Sequence, residues 1–254
     1  MLVSTAASAG VQMTQTDRDI RITASGAEGY SLELSKQFGT WRRLMDAQGA
    51  SYDMPDEPTA ELGHPSLNAS GELGDRYKRA QIAMLKVYPD GDADNAVRSP
   101  VAAWNSPVSL SGPSQAGDAV QASFSNGSGN SLNYTFTDGG IDVVARGNNG
   151  AFRVVMLVPV PDALGTLVTS GGVTHLQGFG ARGIDSTSVD VFSPYRTQGM
   201  RLEFASNKNV FVEMQEGGRT PERAVIEHTG VVYVGLAFTV QKEESFKIRF
   251  PQAQ

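Results

Sequence analysis

The sequence predicts an all-β protein folded as a large antiparallel β-sandwich. Three observations predict it. Short runs of alternating apolar and polar residues recur along most of the chain. Gly, Asn and Asp turn signals separate many of them, as at Asp138-Gly139-Gly140, Gly147-Asn148-Asn149-Gly150 and Glu216-Gly217-Gly218. No stretch carries a long, clean helical period; the best, 74–86, fits a strand at least as well through Ile82, Met84 and Val87. A dozen or more short strands at this spacing read as a sandwich or barrel.

Taken in order, strands are predicted over 19–23, 30–35, 41–45, 81–88, 119–124, 132–137, 141–146, 152–158, 200–204, 210–215, 224–228, 231–240 and 246–250. The segments 52–74 and 89–113 read as long surface loops; on a β scaffold such loops commonly line a binding face. No internal repeat or clean linker divides the chain, so 11–254 is expected to form one domain. Residues 2–10 look like the tail of a secretory leader, with Ala7-Ser8-Ala9 in the small-x-small cleavage pattern. That predicts a secreted or periplasmic protein.

Composition narrows the function. The 254 residues carry a net charge of −6, which disfavours nucleic acid and anionic membrane as partners and, unless basic residues gather locally, an anionic polysaccharide as substrate. No run of about 20 apolar residues could span a bilayer. Without cysteine there is no disulfide and no thiolate metal site. The G-x-S-x-G elbow, H-E-x-x-H and the P-loop are all absent, which demotes serine-hydrolase, zinc-protease and nucleotide chemistry. Gly178-Phe-Gly-Ala-Arg-Gly183 matches G-x-G-x-x-G formally, but strand and turn residues follow it, so no helix dipole would cradle a pyrophosphate.

The segment Tyr30-Ser-Leu-Glu-Leu-Ser-Lys-Gln-Phe-Gly-Thr-Trp41, running on through Leu44 to Asp46-Ala-Gln-Gly49, reads as strand, K-x-x-G turn, strand, D-x-x-G turn. It resembles the opening hairpin of the β-supersandwiches of galactose-mutarotase-like domains and several polysaccharide lyases. The resemblance implies a supersandwich and a polysaccharide or oligosaccharide ligand. It also implies one of three roles: a lyase cleaving an acidic glycan by β-elimination, a non-catalytic carbohydrate-binding domain, or a mutarotase-like isomerase.

The residues offer chemistry for each. β-Elimination from a uronate needs a cation on the carboxylate and a base for the C5 proton. Arg79 or Arg182 would be the cation, and His64, His175 or Tyr77 the base and acid. Lys78 and Lys86 extend the positive cluster, although adjacent strand residues face opposite ways, and a charge run also serves as a solvated edge. A mutarotase-like site would pair His64 or His175 with Glu203, Glu213 or Glu227. A binding site would stack sugars on Trp104 or Tyr195, with Arg196 beside it; the same rings would equally plug the sandwich ends. Asp90, Asp92 and Asp94 form a D-x-D-x-D ladder suited to a structural Ca²⁺, but Asn95 and Val101 break the EF-hand pattern. No cofactor is otherwise required. Asn68, Asn126 and Asn133 begin N-x-S/T triplets.

Overall fold

The computed structural model describes residues 10–26, 28–36, 41–47, 85–88, 109–125, 129–148, 152–161, 165–176, 181–192, 198–215 and 231–252. Among them are 16 strands and no helix. In chain order these are β1 (Val11–Gln15), β2 (Asp19–Ala24), β3 (Tyr30–Ser35), β4 (Trp41–Asp46), β5 (Leu85–Tyr88), β6 (Ser109–Ala116), β7 (Ala119–Ser125) and β8 (Ser131–Thr137). Then follow β9 (Gly140–Arg146), β10 (Phe152–Pro161), β11 (Thr166–Thr169), β12 (Gly172–His175), β13 (Ala181–Phe192), β14 (Met200–Gln215), β15 (Val231–Val240) and β16 (Glu243–Arg249). The all-β expectation holds.

β1 to β4 form a four-stranded meander. Its inward face is set by strict alternation: Ile20, Ile22 and Ala24 on β2, then Tyr30, Leu32 and Leu34 on β3, are buried. On β4 a register shift opposite Glu33 and Leu34 lets Trp41 and Leu44 both turn inward despite their odd spacing.

The other strands form a 12-stranded antiparallel sheet ordered β12-β11-β13-β14-β16-β9-β8-β7-β6, with β15, β10 and β5 branching from β14. β14 is the branch point. Its residues Arg201 to Phe204 pair with β16, and Phe211 to Gln215 pair with β15. Consecutive strands β15 and β16 therefore diverge, and Phe204, Phe238 and Phe246 fill the wedge between them. The Phe204–Phe238 and Phe238–Phe246 contacts are edge-on, with centroids 4.9 and 5.0 Å apart.

The meander packs on the inner face of the large sheet. Tyr30 lies against Phe250 at 5.0 Å, and its hydroxyl donates toward the carbonyls of Thr137 and Gly140 at 3.1 and 3.2 Å. Burial pushes that phenol's pKa well above its ordinary value. Ala47 N donates to the buried Gln198 Oε1 at 2.8 Å. Trp41 and Tyr134 meet deeper in this interface. The indole sits near enough to hold down the phenol's pKa slightly against the rise that burial imposes, yet neither group completes a hydrogen bond.

The structure departs from expectation in several places, and the strands β11 and β12 were not among those expected. Residues 89–113 read as loop, but Ser109 onward belongs to β6, an edge strand whose side chains are mostly exposed and so carry little apolar signal. β1 has a single buried residue, Val11, and gave no alternation to read. The two strands expected at 200–204 and 210–215 are one strand, β14, interrupted by an exposed Ala205-Ser206-Asn207. The strand expected at 224–228 lies outside the described residues, as do residues 81–84 of the strand expected at 81–88.

Candidate functional site

The outward face of the large sheet is polar, and alternation dictates it. Val120, Ala122 and Phe124 of β7, Leu132, Tyr134 and Phe136 of β8, Ile141, Val143 and Ala145 of β9, and Phe246 and Ile248 of β16 all point inward. The residues between them point out. On β7 and β8 these are Gln121, Ser123, Ser131, Asn133 and Thr135, a patch without charge. Asn133 is tied into it: its Oδ1 accepts from Ser123 Oγ at 2.6 Å and its Nδ2 donates to Val144 O at 3.1 Å. A mid-sheet amide so engaged is a poor glycan acceptor, so the Asn133 triplet is a chance match. Asn68 and Asn126 lie outside the described residues.

Toward β16, β14 and β13 the same face becomes charged. Register puts Asp190, Arg201 and Arg249 in one cross-strand line, and Ser188, Glu203, Lys247 and Asp142 in the next. Opposite charges so placed attract across the strands. Arg201 forks onto Asp190, Nε to Oδ1 at 2.8 Å and Nη2 to Oδ2 at 2.7 Å. The Asp190 side chain is 4% exposed and that of Arg201 38%, so the carboxylate is sealed behind the guanidinium. That hydrogen bond, more than the nearby charges of Glu203 and Glu28, raises the Arg201 pKa above its already high value. Arg249 Nη2 donates to Asp142 Oδ1 at 2.7 Å.

Gly140 makes room for Arg249. A Cβ there would sit 2.5 Å from Ile248 O and 2.7 Å from Arg249 Nη1, and its φ of +126° is one that L-residues avoid. The result is two arginines at paired positions, each guanidinium clamped by its own aspartate, with Lys247 and Glu203 alongside. Fixed donors and acceptors spread over four strands suit a polyhydroxylated ligand: each charged group makes strong, directional hydrogen bonds to hydroxyls.

The residues singled out from the sequence fall in three places. His64, Tyr77, Lys78, Arg79, Asp90, Asp92, Asp94, Trp104, Tyr195 and Arg196 lie outside the described residues, as does Glu227. Lys86 lies on β5, paired opposite Val155 of β10. His175 and Arg182 are both described. His175 ends the edge strand β12, exposed. Arg182, expected in a glycine-rich turn, stands on strand β13, and its Nη2 donates to Thr174 Oγ1 at 3.3 Å. Thr174 and His175 are adjacent on one strand and so face opposite sides; Arg182 joins the Thr174 side. Glu203 lies on the charged grid, on β14, with β11 and β13 between it and β12 in the sheet order. Among the described residues no group of three His, Cys, Asp or Glu could hold a metal ion. No helix of the described residues is long and apolar enough to cross a membrane.

Asp190, Arg201, Arg249, Asp142 and Lys247 did not stand out in the sequence. Alternating charge is visible at Arg201-Leu-Glu203 and Lys247-Ile-Arg249. Which charge meets which depends on pairing between strands far apart in the chain.

No family model matches the sequence, and no curated protein matches it. Solved structures do share the fold. The heparan sulfate lyase of Pedobacter heparinus aligns over 98% of this chain and 37% of its own, at 10% identity and TM-score 0.55. A galactose mutarotase-like protein from Lactobacillus casei aligns over 95% of this chain and all of its own, at 10% identity and TM-score 0.51. A 4-alpha-glucanotransferase from Thermococcus litoralis aligns over 97% of this chain at 13% identity and TM-score 0.51. The chain spans about 40% of the glucanotransferase's length. The resemblance seen in the opening hairpin therefore extends, as a fold, along nearly the whole chain.

Proposed function

We propose that this protein is a carbohydrate-active β-sandwich that receives a saccharide on the polar face of its large sheet. The supporting observation is the fold shared with a lyase, a mutarotase-like protein and a glucanotransferase, all named for work on sugars. The clamped Arg201, Arg249, Glu203 and Lys247 would supply the hydrogen bonds. Fold alone fixes no activity.

The finer reading is a polysaccharide lyase acting on a uronate-containing glycan outside the cytoplasm. Arg182 and His175 make a poor pair for it, because β12 turns His175 away from the side that Arg182 occupies. A lyase centre would instead draw on His64, Tyr77 and Arg79. The competing reading, a binding domain without turnover, is favoured by the absence of an exposed Tyr or His from the charged grid among the described residues.

Calorimetric titration with neutral and uronate oligosaccharides tests the main proposal. Saturable binding that weakens about tenfold or more in Lys247→Ala is expected, a loss typical of one charge-assisted hydrogen bond. No binding by any saccharide sinks it. Release of unsaturated uronate products, followed by ultraviolet absorbance, then separates lyase from binder.

A further inference from the structure

β13 bends sharply partway along its length. In the sheet, Thr174 pairs with Leu167, which pairs with Val191. Val191 is about nine positions beyond Arg182, so a straight strand would put roughly 30 Å between them. Yet Arg182 bonds Thr174 directly. The bend lies at Thr187, between the paired stretches Ala181–Ser186 and Ser188–Val191. Ser186 shapes it. Its fully buried Oγ donates to Ser188 O at 2.6 Å and accepts from the amides of Ser170 and Ser188 at 3.1 and 3.3 Å.

The neighbouring strand breaks at the same level. Ala205, Ser206 and Asn207 of β14 are exposed and pair with nothing on β13. β14 also changes its other partner here, from β16 to β15. A crease thus runs across the sheet, and the β13–β14 and β14–β15/β16 ladders all stop at it. On one side stand β16, β9, β8, β7 and β6; on the other, β15, β10 and β5.

Among the described residues the buried Ser186 hydrogen bonds to Ser170 and Ser188 bridge the crease from within, and a few more polar contacts bridge it nearer the surface. The β11–β12 hairpin pairs through β11 with Val189–Phe192 on one side. It reaches the other through Ser170 Oγ to Asp185 O at 3.4 Å and through Thr174 to Arg182. Lys208 on the far reach of β14 pairs with Glu244 of β16. Apart from the Ser186 hydrogen bonds, these contacts are solvent-facing or half-buried, and each is individually weak.

We propose that the crease is a hinge, and that the β11–β12 hairpin and the Lys208–Glu244 pair are straps holding it closed. Asp190, Arg201 and Glu203 lie on one side of the hinge and Arg182 on the other. Opening it would change their spacing without unfolding either half. The inference does not depend on what the polar face binds.

Native-state hydrogen exchange on the full chain tests it, with peptides spanning 184–190 and 203–210 compared with those covering β8 and β9. In the unaltered protein the crease peptides should exchange at least about tenfold faster than β8 and β9. Arg182→Ala and Lys208→Ala should each speed the crease by up to about another tenfold, the worth of one such contact. β8 and β9 should not change. Crease peptides as slow as β8, or variants that speed every peptide alike, overturn the hinge.

Discussion

Replacing Tyr134 by Phe should make this protein more stable. The hydroxyl is buried with no hydrogen-bond partner, and burial drives its pKa well above the ordinary value. An unpaired buried polar group costs about 1–3 kcal/mol in lost hydration. The ring itself packs well. It stacks on Phe136 with centroids 5.5 Å apart and planes 13° apart, and meets Phe124 edge-on at 6.0 Å. Phenylalanine keeps both contacts and removes only the oxygen. The gap it leaves is about one atom, and the Trp41 indole N–H gains no new cost, since it is already unpaired. The net gain should be about 1 kcal/mol, or roughly 2–4 °C in Tm for a chain of this size. Urea unfolding followed by Trp fluorescence, with unchanged m-value, measures it. A loss of about 1 kcal/mol or more would refute the reasoning, because it would mean the hydroxyl has a partner that stabilises the fold.

Two further perturbations follow from the same interior. Tyr30 and Tyr134 both have pKa values raised by burial above the ordinary phenol value of about 10. Above about pH 10 the unfolded chain releases both protons while the folded chain keeps them, so stability falls as pH rises, by about 1.4 kcal/mol per pH unit for each phenol. Alkaline urea titrations should show this slope, and Tyr134→Phe should halve it; a flat profile from pH 10 to 11 contradicts it. Gly140→Ala forces a Cβ to 2.5 Å from Ile248 O at a φ of +126°. It should cost about 2 kcal/mol or more, read as a lowered Tm, and a neutral effect would mean that β9 can shift away from β16.

The sequence revealed strands wherever one face is buried and the other wet. β7, β8 and β9 alternate strictly, and their limits were legible to within a residue or two. β6 stayed hidden because Ser109-Leu-Ser-Gly-Pro-Ser-Gln-Ala116 lies at an edge and buries almost nothing. β14 looked like two strands because Ala205-Ser206-Asn207 has neither apolar period nor turn motif. The charged grid was beyond reach for another reason. Arg201 finds Asp190 only through the β13–β14 register, and Arg249 finds Asp142 through a pairing that spans more than a hundred positions of chain. The opening hairpin pointed to the right fold because its buried face, Tyr30, Leu32 and Leu34, is local.

β16 lies between β14 and β9, in the middle of the large sheet. On the ribosome, β6 to β9 can form a four-stranded meander early, and β13 with β14 a hairpin later. The two pieces have no common border until residues 243–249 emerge. Until then each offers a bare edge that invites pairing with a neighbouring nascent chain. A polypeptide stalled before Glu243 should therefore recruit chaperones that bind strand edges, and one extended past Arg249 should shed them.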